Sequence, residues 1–234
     1  RSMIRFSPLL LLFSFLLPVA LTAQEEESAP EAKPNPAVEF LRKMERKNEG
    51  VDTLRAKFFQ VRRNVMFDEK YESAGEFWYS KPDKFRCDYE NPSPAEFYLV
   101  DQTGYFYTPE NLHVEKFTVP GGEKAPIHGM LVGFGVSVDK ILEVFDVTLA
   151  AEQPKKKSEI AIEFRSEDLQ RSLDYTEIKI VFDEKHLEPL RLVMEEKTED
   201  IVEIDIKKIE TNVEIAEEMF EPQFPEDATM TEVN

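Results

Sequence analysis

Directly after Lys81-Pro82, Phe85, Cys87 and Tyr89 alternate with Arg86, Asp88 and Glu90. Alternation at period 2 marks a strand with one apolar and one polar face. The pattern recurs at Ile160, Ile162 and Phe164, at Ile178, Ile180 and Phe182, and at Val202, Ile204 and Ile206. Many short segments of this kind, joined by polar turns, restrict the chain to an antiparallel sheet with one face buried. The sequence predicts a mainly β fold, a single large and strongly curved sheet of about eleven strands with helices over its open side.

Residues 1–23 stand apart. Arg1 and Arg5 precede a leucine-rich run that closes in Thr22 and Ala23, the arrangement of a signal peptide cleaved after Ala23. The run is short for a membrane span, and no Cys follows the cleavage point closely, so the expectation is an exported chain without a lipid anchor of its own. Residues 24–36 (QEEESAPEAKPNP) are acidic, Pro-bearing and poor in large apolar groups, which predicts a disordered leader. Residues 37–234 are expected to form one domain. The formal net charge of −18 repels phosphate backbones and anionic surfaces, which argues against nucleic acid and favours a monomer. Cys87 has no second cysteine to pair with, and its phase with Phe85 and Tyr89 makes it a small buried hydrophobe.

Ala37–Lys47 places Val38, Leu41 and Met44 at helical spacing, and Asn48–Gly50 stops it. Asp68-Glu69-Lys70 and Phe182–Lys185 are charged turns between alternating runs, hence two hairpins. Around residues 125–145 the period changes. Met130, Leu131 and Phe134, then Val138, Ile141, Leu142 and Phe145, predict two short helices broken near residues 133–137, with Ser137 capping the second. The segment 212–220 is expected to end in a helical turn before a polar tail.

The residues of chemistry do not converge. His113, His128 and His186 lack metal-ligand spacing, so no metal is expected. Gly133-Phe134-Gly135 lacks the third glycine and preceding strand of a dinucleotide loop, and neither a Gly-x-Ser-x-Gly elbow nor a phosphate-binding loop occurs. The expectation is no enzyme and no cofactor. The aromatic sheet face remains, which is either ordinary core or a surface that holds something greasy.

Three stretches carry a resemblance: Leu54-Arg-Ala-Lys-Phe58-Phe-Gln60; Gly75-Glu-Phe-Trp78-Tyr-Ser-Lys81-Pro82-Asp-Lys-Phe85-Arg86-Cys-Asp88-Tyr89; and Val100-Asp-Gln-Thr-Gly104-Tyr-Phe-Tyr107-Thr-Pro109. Together they resemble LolA, the periplasmic outer-membrane lipoprotein carrier family. The resemblance implies an unclosed β half-barrel with a helical lid over an apolar cavity. It implies a carrier that shields the acyl chains of lipoproteins between inner and outer membrane. Its partners would be an inner-membrane lipoprotein-releasing transporter and an outer-membrane acceptor lipoprotein. By the same resemblance, Phe58, Phe77, Tyr79, Phe85, Cys87, Tyr89 and Leu99 face the cavity. Ile127, Met130, Leu131, Phe134, Leu142 and Phe145 line the lid, and Lys81 stands where the family has the Arg that pins the lid shut. Cys87 and Phe106 replace aromatic Trp sites of the family, and Met219–Pro225 echoes its tail only loosely. The alternatives are a periplasmic regulatory interaction module on a related half-barrel, or a carrier of another lipid.

Overall fold

In a computed structural model of the chain, residues 34–118, 134, 136–166 and 175–233 are described. The first element is helix α1, Pro36–Lys47. Asn35 caps it by accepting from the Ala37 and Val38 amides, and Pro36 supplies a preset φ where no amide is needed. Glu39 near its start and Arg46 and Lys47 at its end suit the helix dipole. The helix opens one residue before the predicted start, because Asn35 and Pro36 form the cap and first turn rather than the end of a leader.

Strands β1 (Thr53–Asn64), β2 (Glu69–Ser80), β3 (Lys84–Asn91), β4 (Ala95–Val100), β5 (Thr103–Thr108) and β6 (His113–Thr118) form a meander. Helix α2 (Val138–Val144) follows, then β7 (Asp146–Leu149), β8 (Glu159–Arg165), β9 (Tyr175–Asp183), β10 (Glu188–Glu196), β11 (Ile201–Thr211) and β12 (Thr229–Val233). The spatial order is β12-β6-β5-β4-β3-β2-β1-β11-β10-β9-β8-β7. β1 sits near the middle and joins the two runs of the chain by pairing with β2 and β11. Among the described residues β7 and β12 are edges with one neighbour each, and the sheet is unclosed.

The fold is therefore the expected mainly β half-barrel, with both charged hairpin turns in place. Among the described residues twelve strands are found rather than about eleven. The additional strand is β12, which pairs parallel to β6 from what read as a polar tail. The helical turn expected over 212–220 shrinks to a 3-10 turn at Glu217–Phe220.

Register assigns the faces, since directly opposed residues share a side. Ala56, Phe77 and Cys87 stand opposite one another across β1–β3, and Phe58, Ile206, Ile204 and Leu192 continue the same face across β1, β11 and β10. This inner face packs against Phe40, Leu41 and Met44 of α1 and Val138 and Ile141 of α2 in one buried cluster. Two polar devices fix the helices. The Asn35 side-chain amide donates to the Val147 carbonyl at 2.7 Å, and Glu45 accepts from the Val138 amide at 2.9 Å, placing a carboxylate at the start of α2. Ser137 caps α2 as predicted, accepting from the Lys140 amide at 3.4 Å.

Candidate ligand-binding face

The inner face carries a continuous series of rings. Tyr89 meets Phe58 edge-on at 5.2 Å, and Phe58 lies 6.5 Å from Phe77. Phe77 stacks on Phe85 at 5.6 Å, Phe85 lies 6.1 Å from Phe97, and Phe97 stacks on Phe117 at 6.1 Å. The series thus crosses the sheet from β1 to β6. Two glycines make room for it. A Cβ on Gly75 would stand 2.8 Å from the Phe58 ring and 2.1 Å from the Asp88 carbonyl oxygen, and a Cβ on Gly104 would stand 2.5 Å from the Phe117 ring.

Burial changes along the series. Phe58, Phe77, Tyr79, Phe85, Cys87 and Leu99 are buried in the core cluster, with Tyr89 packed partly buried against it. Phe97, Phe106 and Phe117 are only half-buried. None of these three was assigned to the cavity from the sequence, although Phe97 is two residues before Leu99 and therefore in phase with it.

The polar atoms of this face are satisfied locally. The Tyr79 hydroxyl donates to the Pro82 carbonyl at 3.0 Å, and that of Tyr89 donates to Gln60 Oε1 at 3.4 Å. Burial raises the Tyr79 phenol to about 12, and burial likewise pushes the Tyr89 phenol and the Cys87 thiol up. A thiol so disfavoured as thiolate is a packing group, not a nucleophile. Arg86 points to the opposite face as its register requires. It donates to both carboxylate oxygens of Asp88 at 2.7 and 2.9 Å and to the Met219 carbonyl at 3.1 Å, and lies over Tyr98. On that outer face, Phe224 packs against Tyr98, Tyr105 and Tyr107, so the tail that resembled the family only loosely lies against the back of β4 and β5.

The residues expected in the lid divide. Ile127, Met130 and Leu131 lie outside the described residues. Phe134 is buried in the core cluster, and Phe145 meets Phe164 edge-on at 5.9 Å. Leu142 was expected on the covering face. Helix α2 instead buries Val138 and Ile141, three residues apart, and the turn of the helix leaves Leu142 on the solvent side. Lys81 is tied to the loop before β1. Its ammonium donates to the Glu49 carbonyl at 3.3 Å and lies 3.7 Å from Asp52 Oδ1.

A separate groove of about 720 Å³ lies on the outer face of β8–β11. Lys155, Lys179, Arg191, Glu203 and Asp205 are among its lining residues, with Arg191 donating to Asp205 at 2.6 Å, an ionic lining unlike the ring series.

The sequence matches the family described as "Outer membrane lipoprotein carrier protein LolA" over residues 49–223. An outer-membrane lipoprotein carrier protein from Alkalilimnicola ehrlichii is 25% identical over 182 residues, covering 78% of each chain. Among solved structures, an uncharacterized conserved protein from Thermus thermophilus superposes with a TM-score of 0.53 at 10% identity, covering 83% of this chain and 98% of its own, a likeness of fold. A putative outer membrane lipoprotein-sorting protein domain from Vibrio parahaemolyticus gives a TM-score of 0.47 at 12% identity, over 79% of this chain and 95% of its own. This chain belongs to the LolA family of outer membrane lipoprotein carrier proteins.

Proposed function

We propose that this protein is a periplasmic carrier that shields lipoprotein acyl chains against the inner face of its half-barrel. The observation that supports this reading most is the ring series from Tyr89 to Phe117, buried at Phe58, Phe77 and Phe85 and half-buried beyond them at Phe97 and Phe117. An acyl chain in water costs about 0.8 kcal/mol per exposed methylene, so a multiply acylated anchor needs a continuous apolar track to cross the periplasm. Phe97, Phe106 and Phe117 are where a chain first meets that track. Phe85, Phe77, Phe58, Tyr79, Cys87, Tyr89 and Leu99 are the deeper wall, reached when side chains re-pack. The cargo comes from an inner-membrane lipoprotein-releasing transporter and goes to an outer-membrane acceptor lipoprotein. Lys81, a flexible point donor rather than a planar fork, holds the closed state less firmly than an Arg would.

The test is binding of a fluorescent fatty-acyl probe to the purified protein, with mass spectrometry of whatever co-purifies from the periplasm. Phe97→Glu and Phe117→Glu place a charge on half-buried positions, so the fold should survive, as circular dichroism can verify. The expected result is acylated cargo in the spectrum and a loss of probe affinity of about tenfold or more in each variant, the size of one uncompensated charge at an apolar contact. Undiminished probe binding in both folded variants would remove the inner face as the site.

A further inference from the structure

The β1–β2 hairpin ends in an apolar tip left exposed among the described residues. Val65, Met66 and Phe67 are 50%, 80% and 67% exposed, and Tyr71 on the returning strand is 55% exposed. Isolated apolar side chains on a surface are ordinary, but three in succession at a loop tip mark a contact site.

The tip projects. β3 pairs with β2 only from Ala74 onward, so Glu69–Ser73 run past the end of β3. At about 3.4 Å per residue, that carries the tip roughly 17 Å beyond that strand.

The tip is also held in place. Asp200, buried in the neighbouring β10–β11 turn, accepts from the Val65 amide at 3.1 Å, the Asn64 side-chain amide at 3.0 Å and Arg62 at 3.4 Å. Asn64 Oδ1 in turn accepts from the Phe67 amide at 2.9 Å. The backbone at the tip thus finds partners within the protein while its apolar side chains are turned outward. Such a loop can enter an apolar medium without stranding these amides.

We propose that Val65–Phe67 is a wedge by which this protein docks on the surface of a lipid bilayer with zwitterionic headgroups. Val65, Met66 and Phe67 lead the turn and the exposed Asp68 closes it, an apolar edge backed by charge, which suits an interface with hydrocarbon ahead and headgroup water behind. Tyr71 stands just behind, an aromatic ring with a polar end of the kind that settles at headgroup level. Charge selects the headgroup. Residues 62–72 balance Arg62, Arg63 and Lys70 against Asp68, Glu69 and Glu72, while the adjoining turn adds Glu196, Glu199 and Asp200 against Lys197. With a whole chain of −18, anionic lipid repels this end and uncharged surface does not.

The test places a fluorophore at the tip through Met66→Cys. Cys87 is buried and should stay unlabelled under native conditions. Vesicles of phosphatidylcholine and phosphatidylethanolamine are added, with spin-labelled lipid as quencher. The expected result is a blue-shifted emission quenched by the lipid spin label, a shift that shrinks as phosphatidylglycerol is added, and no response from the same label at the exposed Glu110→Cys. Phe67→Asp in the labelled protein should lower vesicle partitioning about tenfold, and its exposed position should leave the fold intact, which circular dichroism checks. A tip label that ignores vesicles, even when the protein co-sediments with them by another segment, would overturn the proposal. So would unchanged partitioning of Phe67→Asp, or a response that appears only when a second protein is added. Acyl-probe binding on the same samples reads the inner face separately.

Discussion

The two halves of the inner face use different side chains. From β11 to β8 it is mainly aliphatic: Ile206, Ile204, Val202, Leu192, Ile180, Ile178 and Ile162 are buried, and its two buried rings, Phe182 and Phe164, rest on Phe40 of α1 at 5.3 Å and on Phe145 at 5.9 Å. From β2 to β6 it is aromatic, and burial fades outward through Phe97 to Phe117. Branched aliphatics fill a fixed space with few rotamers, whereas rings stacked at roughly 5–6 Å offer broad faces that can slide on a ligand. The aliphatic half reads as the fixed core that holds the helices. In the proposed carrier role, the aromatic half is the part that exchanges its own contacts for those of a guest.

Truncation separates the two most sharply. Phe182→Ala empties a fully buried site beneath α1 and should cost about 3–5 kcal/mol, close to the whole stability of many domains. Phe97→Ala removes a half-buried ring and should cost about 1–2 kcal/mol, because less area leaves water on folding. Urea denaturation of both variants measures the difference. Equal costs would mean that the aromatic half is as fixed as the aliphatic one.

The glycines sharpen the contrast within the aromatic half. At Gly75 an added Cβ meets the Asp88 carbonyl oxygen at 2.1 Å, and this backbone atom cannot swing away. At Gly104 the contact is the Phe117 ring, which can. Gly75→Ala should therefore destabilise by about 1–3 kcal/mol, the range of an overpacked site. Gly104→Ala should leave thermal stability nearly unchanged while altering acyl-probe affinity through the displaced ring. Melting curves and probe titrations on the pair distinguish the outcomes, and a large loss of stability from Gly104→Ala would place Phe117 in the rigid core.

The legibility of the sequence followed the same division. Alternation at Ile160–Phe164, Ile178–Phe182 and Val202–Ile206 located β8, β9 and β11 because burial on one face imposes period 2 directly. β12 could not be found that way. Its residues Thr229–Val233 are all exposed, and backbone pairing to a strand more than a hundred residues earlier defines it. The inner positions of β1–β3 were legible from Phe77, Phe85 and Tyr89 and from the family resemblance. Phe106 and Phe117 were not assigned, because assigning their face needs the register through β4–β6. Leu142 shows the limit for a short helix: both faces carry apolar residues, and only packing decides which one turns inward.

Alkaline pH gives the smallest and most local probe. Tyr79 has a phenol raised from 10.0 to about 12 by burial, and Tyr89 and Cys87 are shifted the same way. Below pH 10 the Tyr79 phenol is protonated whether the chain is folded or not, and its contribution is fully present. Between pH 10 and about 12 the unfolded chain releases that proton first, so stability falls as pH rises and levels off once the folded phenol also ionises. All three groups lie on the aromatic half, while Ile178, Ile180 and Ile204 have nothing to ionise. Amide exchange should therefore quicken first on β2 and β3 as pH is raised through this window, once the intrinsic base-catalysed rate is removed. Tyr79→Phe should flatten part of that loss, at a cost of about 1 kcal/mol near neutrality for the hydrogen bond to Pro82. Uniform quickening across β2 and β10 would show that the halves open as one unit and erase the distinction between them.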